Sequence, residues 1–257
     1  MIERWIADPS AADTMRINAP ERYQSAEEID IMEGLLSIRG HRVLELGCGG
    51  AFTTRLLVDR LGAAAVTATE VDRIQHEKNL SLGLPNVTFR YGGAEAIDEP
   101  DASFDVVVML KSLHHVPAGK MEQALDEIHR VLRPGGRFYC SEPVYWGPFN
   151  DLMRLIDDER VVREAAFAAL KGAVERGLLT LEQELFFQSE GVYPDWQSFE
   201  SRFLDVTHSE RNLDAARRAE VRAAFERHLT PQGARFQKPH RVDLLRRPSA
   251  PPSGDSA

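Results

Sequence analysis

Residues 43 to 46 read Val-Leu-Glu-Leu, and the chain then runs Gly47-Cys48-Gly49-Gly50 before the next apolar stretch opens at Phe52. An apolar strand that closes in a glycine-rich turn and feeds a helix leaves little choice of architecture. Glycine lets the backbone take conformations closed to other residues and lets a ligand approach the bare peptide groups. In doubly wound α/β folds this first strand–turn–helix unit cradles a nucleotide-like ligand against backbone N–H groups. The turn therefore predicts alternating strands and helices around a mostly parallel sheet.

The rest of the first half agrees with that expectation. Buried parallel strands are predicted over 41–47, 64–70, 86–91, 104–110 and 137–142, where apolar runs lack polar alternation. Gly62 would end the helix that follows the first turn. Met121, Leu125, Ile128, Val131 and Leu132 recur at helical spacing after Pro117, and Pro134, Gly135 and Gly136 would stop that helix. Beyond Pro143 the texture becomes helical over 147–190, which reads as a lid insertion after the fifth strand. Residues 201–210 and 238–247 read as closing strands around a helix at 213–229, giving seven strands. The expected organisation is a helical lead-in at 1–39, whose Trp5 and Tyr23 fold back over the site, and a core at 40–146. A helical lid at 147–200, closing elements at 201–247 and a disordered tail at 248–257 follow.

Composition narrows the partners. The net charge of −9 disfavours a broad grip on nucleic-acid phosphates, so a small molecule is the expected substrate. No run has the length of a membrane span and the start lacks a leader pattern, so a cytoplasmic protein, monomer or homodimer, is expected. Cys48 and Cys140, each in or beside a predicted strand, are expected as thiols in a reducing compartment. No His/Cys spacing suggests zinc, and no metal is expected.

Glu70 lies 21 positions after Gly49, at the end of the second strand, where a carboxylate can accept from both hydroxyls of a ribose. The turn lacks the G-x-G-x-x-G pattern of dinucleotide enzymes. Together "VLELGCGGA", "VTATEVD", "GGAEAIDEPDASFDVVVMLKSLHHV" and "EIHRVLRPGGRFYCSEP", spread over about residues 40–145, resemble the class I S-adenosylmethionine-dependent methyltransferases. The likeness is to the small-molecule branch that includes the ubiquinone and menaquinone methyltransferases. The resemblance implies a Rossmann-like fold and S-adenosylmethionine as cofactor. It places Glu45 and the backbone of Gly47 and Gly49 at the methionine portion, with Cys48 packing the same cofactor-binding turn, Glu70 on the ribose and Val71 on the adenine. It also places Ala94 and Glu95 near the adenine edge and Leu110 beside the sulfonium. Two positions depart from the family pattern. Gly93 stands where an aspartate is usual, and Ala51 where a glycine is usual, a change that fits if residue 51 takes an ordinary helical angle.

A sulfonium carbon is already a strong electrophile, so such an enzyme mainly positions an attacking atom and excludes water. His114, His115, Glu142 and Tyr145 are the candidate bases near the methyl group, and His114 and His115 are equally readable as structural. Tyr145, Trp146 and Phe149 could face the positive sulfur or pack the insertion. The lid holds Phe149, Asn150, Phe186, Phe187, Tyr193 and Trp196, a lining suited to a small organic acceptor. Two other readings stay open: cyclisation of the cofactor's aminobutyryl arm to azetidine-2-carboxylate with release of methylthioadenosine, and a non-catalytic binder.

Overall fold

Strands that are apolar on both faces can only be satisfied inside a covered sheet, and the computed structural model, which describes residues 14–204 and 213–249, builds one. The short strand β1 (Gln24–Ser25) and helix α1 (Glu28–Leu35) lead into β2 (Arg42–Leu46), α2 (Phe52–Asp59), β3 (Ala65–Glu70), α3 (Arg73–Leu80) and β4 (Val87–Tyr91). Then β5 (Phe104–Leu110), α4 (Met121–Val131) and β6 (Leu132–Pro143) complete the parallel half. The chain moves outward from β2 through β3 to β4, then returns to lay β5 against the other side of β2. At that reversal the loops diverge, which opens a crevice at the carboxyl ends of β2 and β5.

The second half differs from expectation. Helices α5 (Gly147–Met153) and α6 (Arg160–Glu175) form the anticipated insertion, but Thr180–Tyr193 is a long strand, β7, not helix. It pairs antiparallel with β9 (Gly233–Arg246), which also pairs antiparallel with β6. Helix α7 (Trp196–Phe203) replaces the front of the strand expected at 201–210, and the rest of that stretch, His208 included, lies outside the described residues, as does Trp5. Helix α8 (Ala215–Glu226) and the two-residue strand β8 (Leu229–Thr230) precede β9. The described sheet therefore has nine strands of mixed direction, not seven. A register shift between Leu181 and Gln183, together with Glu182 and Glu184, disguises the two-residue period of β7 in the sequence.

Three apolar clusters hold these layers. One sheet face packs Met121, Leu125, Ile128 and Val131 of α4 with Leu170 of α6 against β5 and β6. The other packs Ile31 and Met32 of α1 and Leu57 of α2 with Leu185 and Phe187. The third is largely aromatic and joins α5, α7 and α8 to β9 through Tyr193, Phe199, Phe225 and Phe236. Phe186, Phe187 and Tyr193 are thus interior residues of the sheet, at most 2% exposed, and not the lid lining their sequence position suggested. Cys48 and Cys140 are buried free thiols. No helix among the described residues is long and apolar enough to cross a membrane.

Candidate active site

The turn after β2 is built from peptide groups. Gly47 and Cys48 donate their N–H groups to Thr69 O at 3.1 and 2.9 Å, tying the turn to β3. Gly47 has φ +74°, and a Cβ there would lie 2.6 Å from Ser112 Oγ, so no side chain fits. Gly49 has φ +51° and nothing within 4 Å of where a Cβ would be, so that face of the turn is uncrowded. Ala51 also takes a left-handed conformation, φ 60° and ψ 28°, instead of the ordinary helical angle expected. Its methyl is fully buried, so packing holds a residue whose backbone costs about 1 kcal/mol. No side chain caps the amides of α2 beyond it.

Carboxylates flank this turn. Glu70 Oε2 accepts from Gly49 N at 2.8 Å, and its Oε1 accepts from Val71 N and Asp72 N at 2.8 and 2.9 Å. Glu45, 3% exposed, accepts from the Thr54 hydroxyl at 2.6 Å. Burial raises its pKa to about 7, with the Thr54 hydrogen bond opposing. Burial, reinforced by Glu45 and Glu70, pushes the Cys48 thiol up to about 12, which leaves no thiolate for nucleophilic chemistry. Sequence reading missed Asn79. From α3 its Nδ2 donates to Gly49 O at 2.7 Å while Oδ1 accepts from Gln75 at 2.8 Å, so a buried amide clamps the turn. An asparagine, poor in a helix interior, was the available signal.

Across the crevice, Glu142 closes β6 onto the turn after β5. Its Oε1 accepts from Ser112 N and Leu113 N, both at 3.0 Å, and its Oε2 lies 2.5 Å from His114 Nδ1. Burial pushes the Glu142 pKa up, but the His114 charge and these hydrogen bonds hold it below the ordinary value. An ionised Glu142 only accepts, so His114 Nδ1 carries the proton. His114 is 4% exposed, and His115 is exposed with its ring 4.1 Å from that of His114. Glu159, at the start of α6, has Oε2 3.9 Å from His114 Nε2 and accepts from Arg163 Nη2 at 2.6 Å. Burial raises the Glu159 pKa, and Arg163 with the two histidines lowers it below its ordinary value. The ligand atoms of His114, His115 and Glu159 lie within 4.8 Å of one another, close enough to share a metal ion, although no sequence spacing suggested it.

The remaining candidates are dispersed along the rim. Val71 is 60% exposed, Leu110 ends β5 half-buried and Tyr145 is half-buried beyond β6. Trp146 stacks on Tyr23 with centroids 5.2 Å apart, so the lead-in does reach this edge. Ala94 is buried in the first cluster. Glu95 pairs with Lys120 at 3.6 Å, and a Cβ at Gly93 would lie 2.3 Å from Glu95 Oε2. The carboxylate of Glu95 therefore occupies space beside residue 93, where the family pattern has an aspartate.

An open glycine turn at the reversal point of a doubly wound sheet defines a Rossmann-like α/β protein. Residues 43–136 match the model of a methyltransferase domain. The chain is 33% identical over 168 residues to the O-methyltransferase rstn1 of Aspergillus nomiae, covering 58% of this chain and 68% of that protein. It is 31% identical over 117 residues to a ubiquinone biosynthesis O-methyltransferase of Paracidovorax citrulli, covering 43% of this chain and 47% of that one. It spans about half the length of several curated relatives that it matches. Its fold superposes on the YcgJ protein of Bacillus subtilis with TM-score 0.61 and 20% identity, covering 86% and 98% of the two chains. The chain belongs to the class I S-adenosylmethionine-dependent methyltransferases. The turn fits that family's cofactor: no side chain crowds it at Gly49 or Gly50, and an acid stands at or next to the end of each flanking strand, Glu45 in β2 and Glu70 in β3.

Proposed function

We propose that the chain is an S-adenosylmethionine-dependent methyltransferase that acts on a small-molecule acceptor and yields S-adenosylhomocysteine. The observation that carries this reading is the unobstructed turn at Gly49 and Gly50, fastened to Glu70 and bordered by Glu45 at the sheet's reversal. S-adenosylmethionine supplies a sulfonium-bound methyl group that is electrophilic without further activation. The turn at Gly47, Cys48 and Gly49 gives it a surface bare of bulky side chains to approach, and Glu45 offers a carboxylate toward its cationic methionine portion. Glu70, already holding three amides, keeps one acceptor position for the ribose, Val71 covers the adenine and Leu110 lines the sulfur side. Glu95 takes up the role of the missing aspartate at residue 93, with Ala94 beneath it.

The names of the two curated relatives make a hydroxyl the favoured acceptor. His115, exposed beside the crevice, is assigned as the base, with Tyr145 facing the same rim. His114 and Glu142 are positioning residues: the buried carboxylate fixes the 3-10 turn Leu113–His115 and the tautomer of His114. The cytoplasmic location belongs to this reading too.

The test is to incubate the protein with S-adenosylmethionine, with and without candidate hydroxyl acceptors, and to identify products by mass spectrometry. S-adenosylhomocysteine formed only with acceptor is expected. Methylthioadenosine formed without acceptor overturns methyl transfer in favour of intramolecular cyclisation, and tight binding with no product makes the chain a binder. Glu70→Ala is expected to weaken S-adenosylhomocysteine binding by roughly 1 to 3 kcal/mol in calorimetry, the range for a charge-assisted hydrogen-bond partner.

A further inference from the structure

A second cavity, of about 260 Å³, opens between Lys111 after β5, Val144 after β6 and the helices of the insertion. It begins one residue beyond Leu110, so it adjoins the rim at which the methyl group would be presented. Its lining carries Lys111, Arg163, Arg202 and Lys238 together with His240, and no aspartate or glutamate. In a chain of net charge −9, four cations around one cavity without a carboxylate run against the overall balance.

Two of the cations are already engaged. Lys111 lies 3.6 Å from Glu28, and Arg163 binds Glu159 and, at 3.1 Å, Asn150 Oδ1. Lys238 and Arg202 have no ion pair among the described residues. Lys238 lies over the rings of Phe149 and Tyr193 at 5.5 and 5.8 Å, and Arg202 lies 5.9 Å from the ring of Phe203. The stem of Lys238 passes where a Cβ at Gly191 would sit, 2.3 Å from Lys238 Cε, so the missing side chain makes room for it. Burial first, and then the charges of Arg202 and Lys111, depress the Lys238 pKa against the smaller opposing charge of Glu27. His240, 4% exposed, has Nε2 3.3 Å from Ser189 Oγ and a buried Nδ1 with no partner. Lys238 is partly buried while Arg202 and Lys111 are exposed at the mouth, and like charges gathered around a partly buried cation cost free energy that a bound anion would recover. Phe149, Met153 and Phe203 supply an apolar wall beside them.

We propose that this cavity seats the anionic group of the acceptor, a carboxylate or a phosphate ester on an apolar body, held by Lys238 and Arg202. The inference rests on the methyltransferase reading and deepens it by naming the acceptor's chemistry. The cations fix the far end of the acceptor, which orients its attacking atom toward the rim beside Leu110.

The test is calorimetric titration of the full chain, saturated with S-adenosylhomocysteine, using hexanoate and hexyl phosphate as anionic probes and hexanamide and hexanol as neutral ones. At least one anionic probe is expected to bind about tenfold or more tightly than its neutral counterpart, and comparison of the two anions identifies the head group. Lys238→Gln combined with Arg202→Gln is expected to erase that preference while the melting temperature holds. Gly191→Ala, which displaces the Lys238 stem, is expected to weaken it. Equal affinity for charged and neutral probes, or a preference that survives the double substitution, overturns the inference. A double variant that loses S-adenosylhomocysteine affinity in the same proportion also overturns it, because the cations then serve the nucleoside's own carboxylate. If anion preference is absent while the nucleoside still binds, only this inference falls; if the nucleoside itself fails to bind, the methyltransferase reading falls and takes the inference with it.

Discussion

Glu45 is a carboxyl group 3% exposed whose hydrogen-bonded side-chain partner is the hydroxyl of Thr54. Its pKa of about 7 in the folded protein exceeds the ordinary value of 4.5, so the folded state holds this proton more tightly than the unfolded chain does. That contribution to stability is complete below the ordinary value and is lost as pH rises through about 7. Glu45→Gln keeps an acceptor for Thr54 and removes the ionisation. In urea unfolding the variant is expected to match the parent at pH 4 and to exceed it at pH 8 by up to about 3 kcal/mol. A difference that does not change with pH would show that Glu45 ionises freely in the folded chain. The acid was legible in the sequence, since a charge ending an apolar strand demands a reason. Thr54, which shares its burial, was not, because nothing in a helix marks which threonine faces inward.

The elements around the turn are held by polar side chains from their neighbours. Asn79 of α3 satisfies Gly49 O, so Asn79→Ala leaves that carbonyl without its donor and frees the turn. The expected outcome is S-adenosylhomocysteine binding weakened by about 1 to 2 kcal/mol, measured by calorimetry, with far-UV dichroism unchanged; unaltered affinity would separate the clamp from the site. At the far end of α4, Arg247 Nη1 donates to His129 O and Arg130 O at 2.9 and 3.1 Å and also to Leu132 O. A pair of adjacent arginines, here Arg246 and Arg247, usually marks a solvated face, yet the guanidinium of Arg247 satisfies carbonyls that a helix end leaves open. Arg247→Met is expected to cost about 1 to 2 kcal/mol and to lower the melting temperature by a few degrees. A melting temperature equal to that of the parent would return Arg247 to the surface. Element type was most legible for β2 and β5, whose apolar residues run almost without a break, whereas β7 was not legible, because its register shift and charges break the period.

For the whole molecule, the third cluster decides how the carboxy-terminal elements sit on the sheet. Phe199, fully buried, touches Tyr193 of β7, Phe203 of α7 and Phe225 of α8 with ring centroids 5.3, 4.8 and 4.9 Å apart. Phe199→Ala is expected to remove about 3 to 5 kcal/mol of stability, read by chemical denaturation. The nucleoside turn lies on other elements, so S-adenosylhomocysteine affinity of the folded variant should hold; parallel loss of both would make the cluster part of the site. The sequence by itself determined the parallel core, the glycine turn and the acids beside it, because these follow from local backbone freedom, uninterrupted apolar runs and the cost of burying charge. Only the tertiary structure decided that Thr180–Tyr193 is a strand, that it and β6 flank the expected closing strand β9 antiparallel, and that Glu142 closes the histidine turn. It alone gathered cations from the turn after β5 and from α6, α7 and β9 around one cavity, since pairings between residues far apart in the chain leave no periodic trace in it.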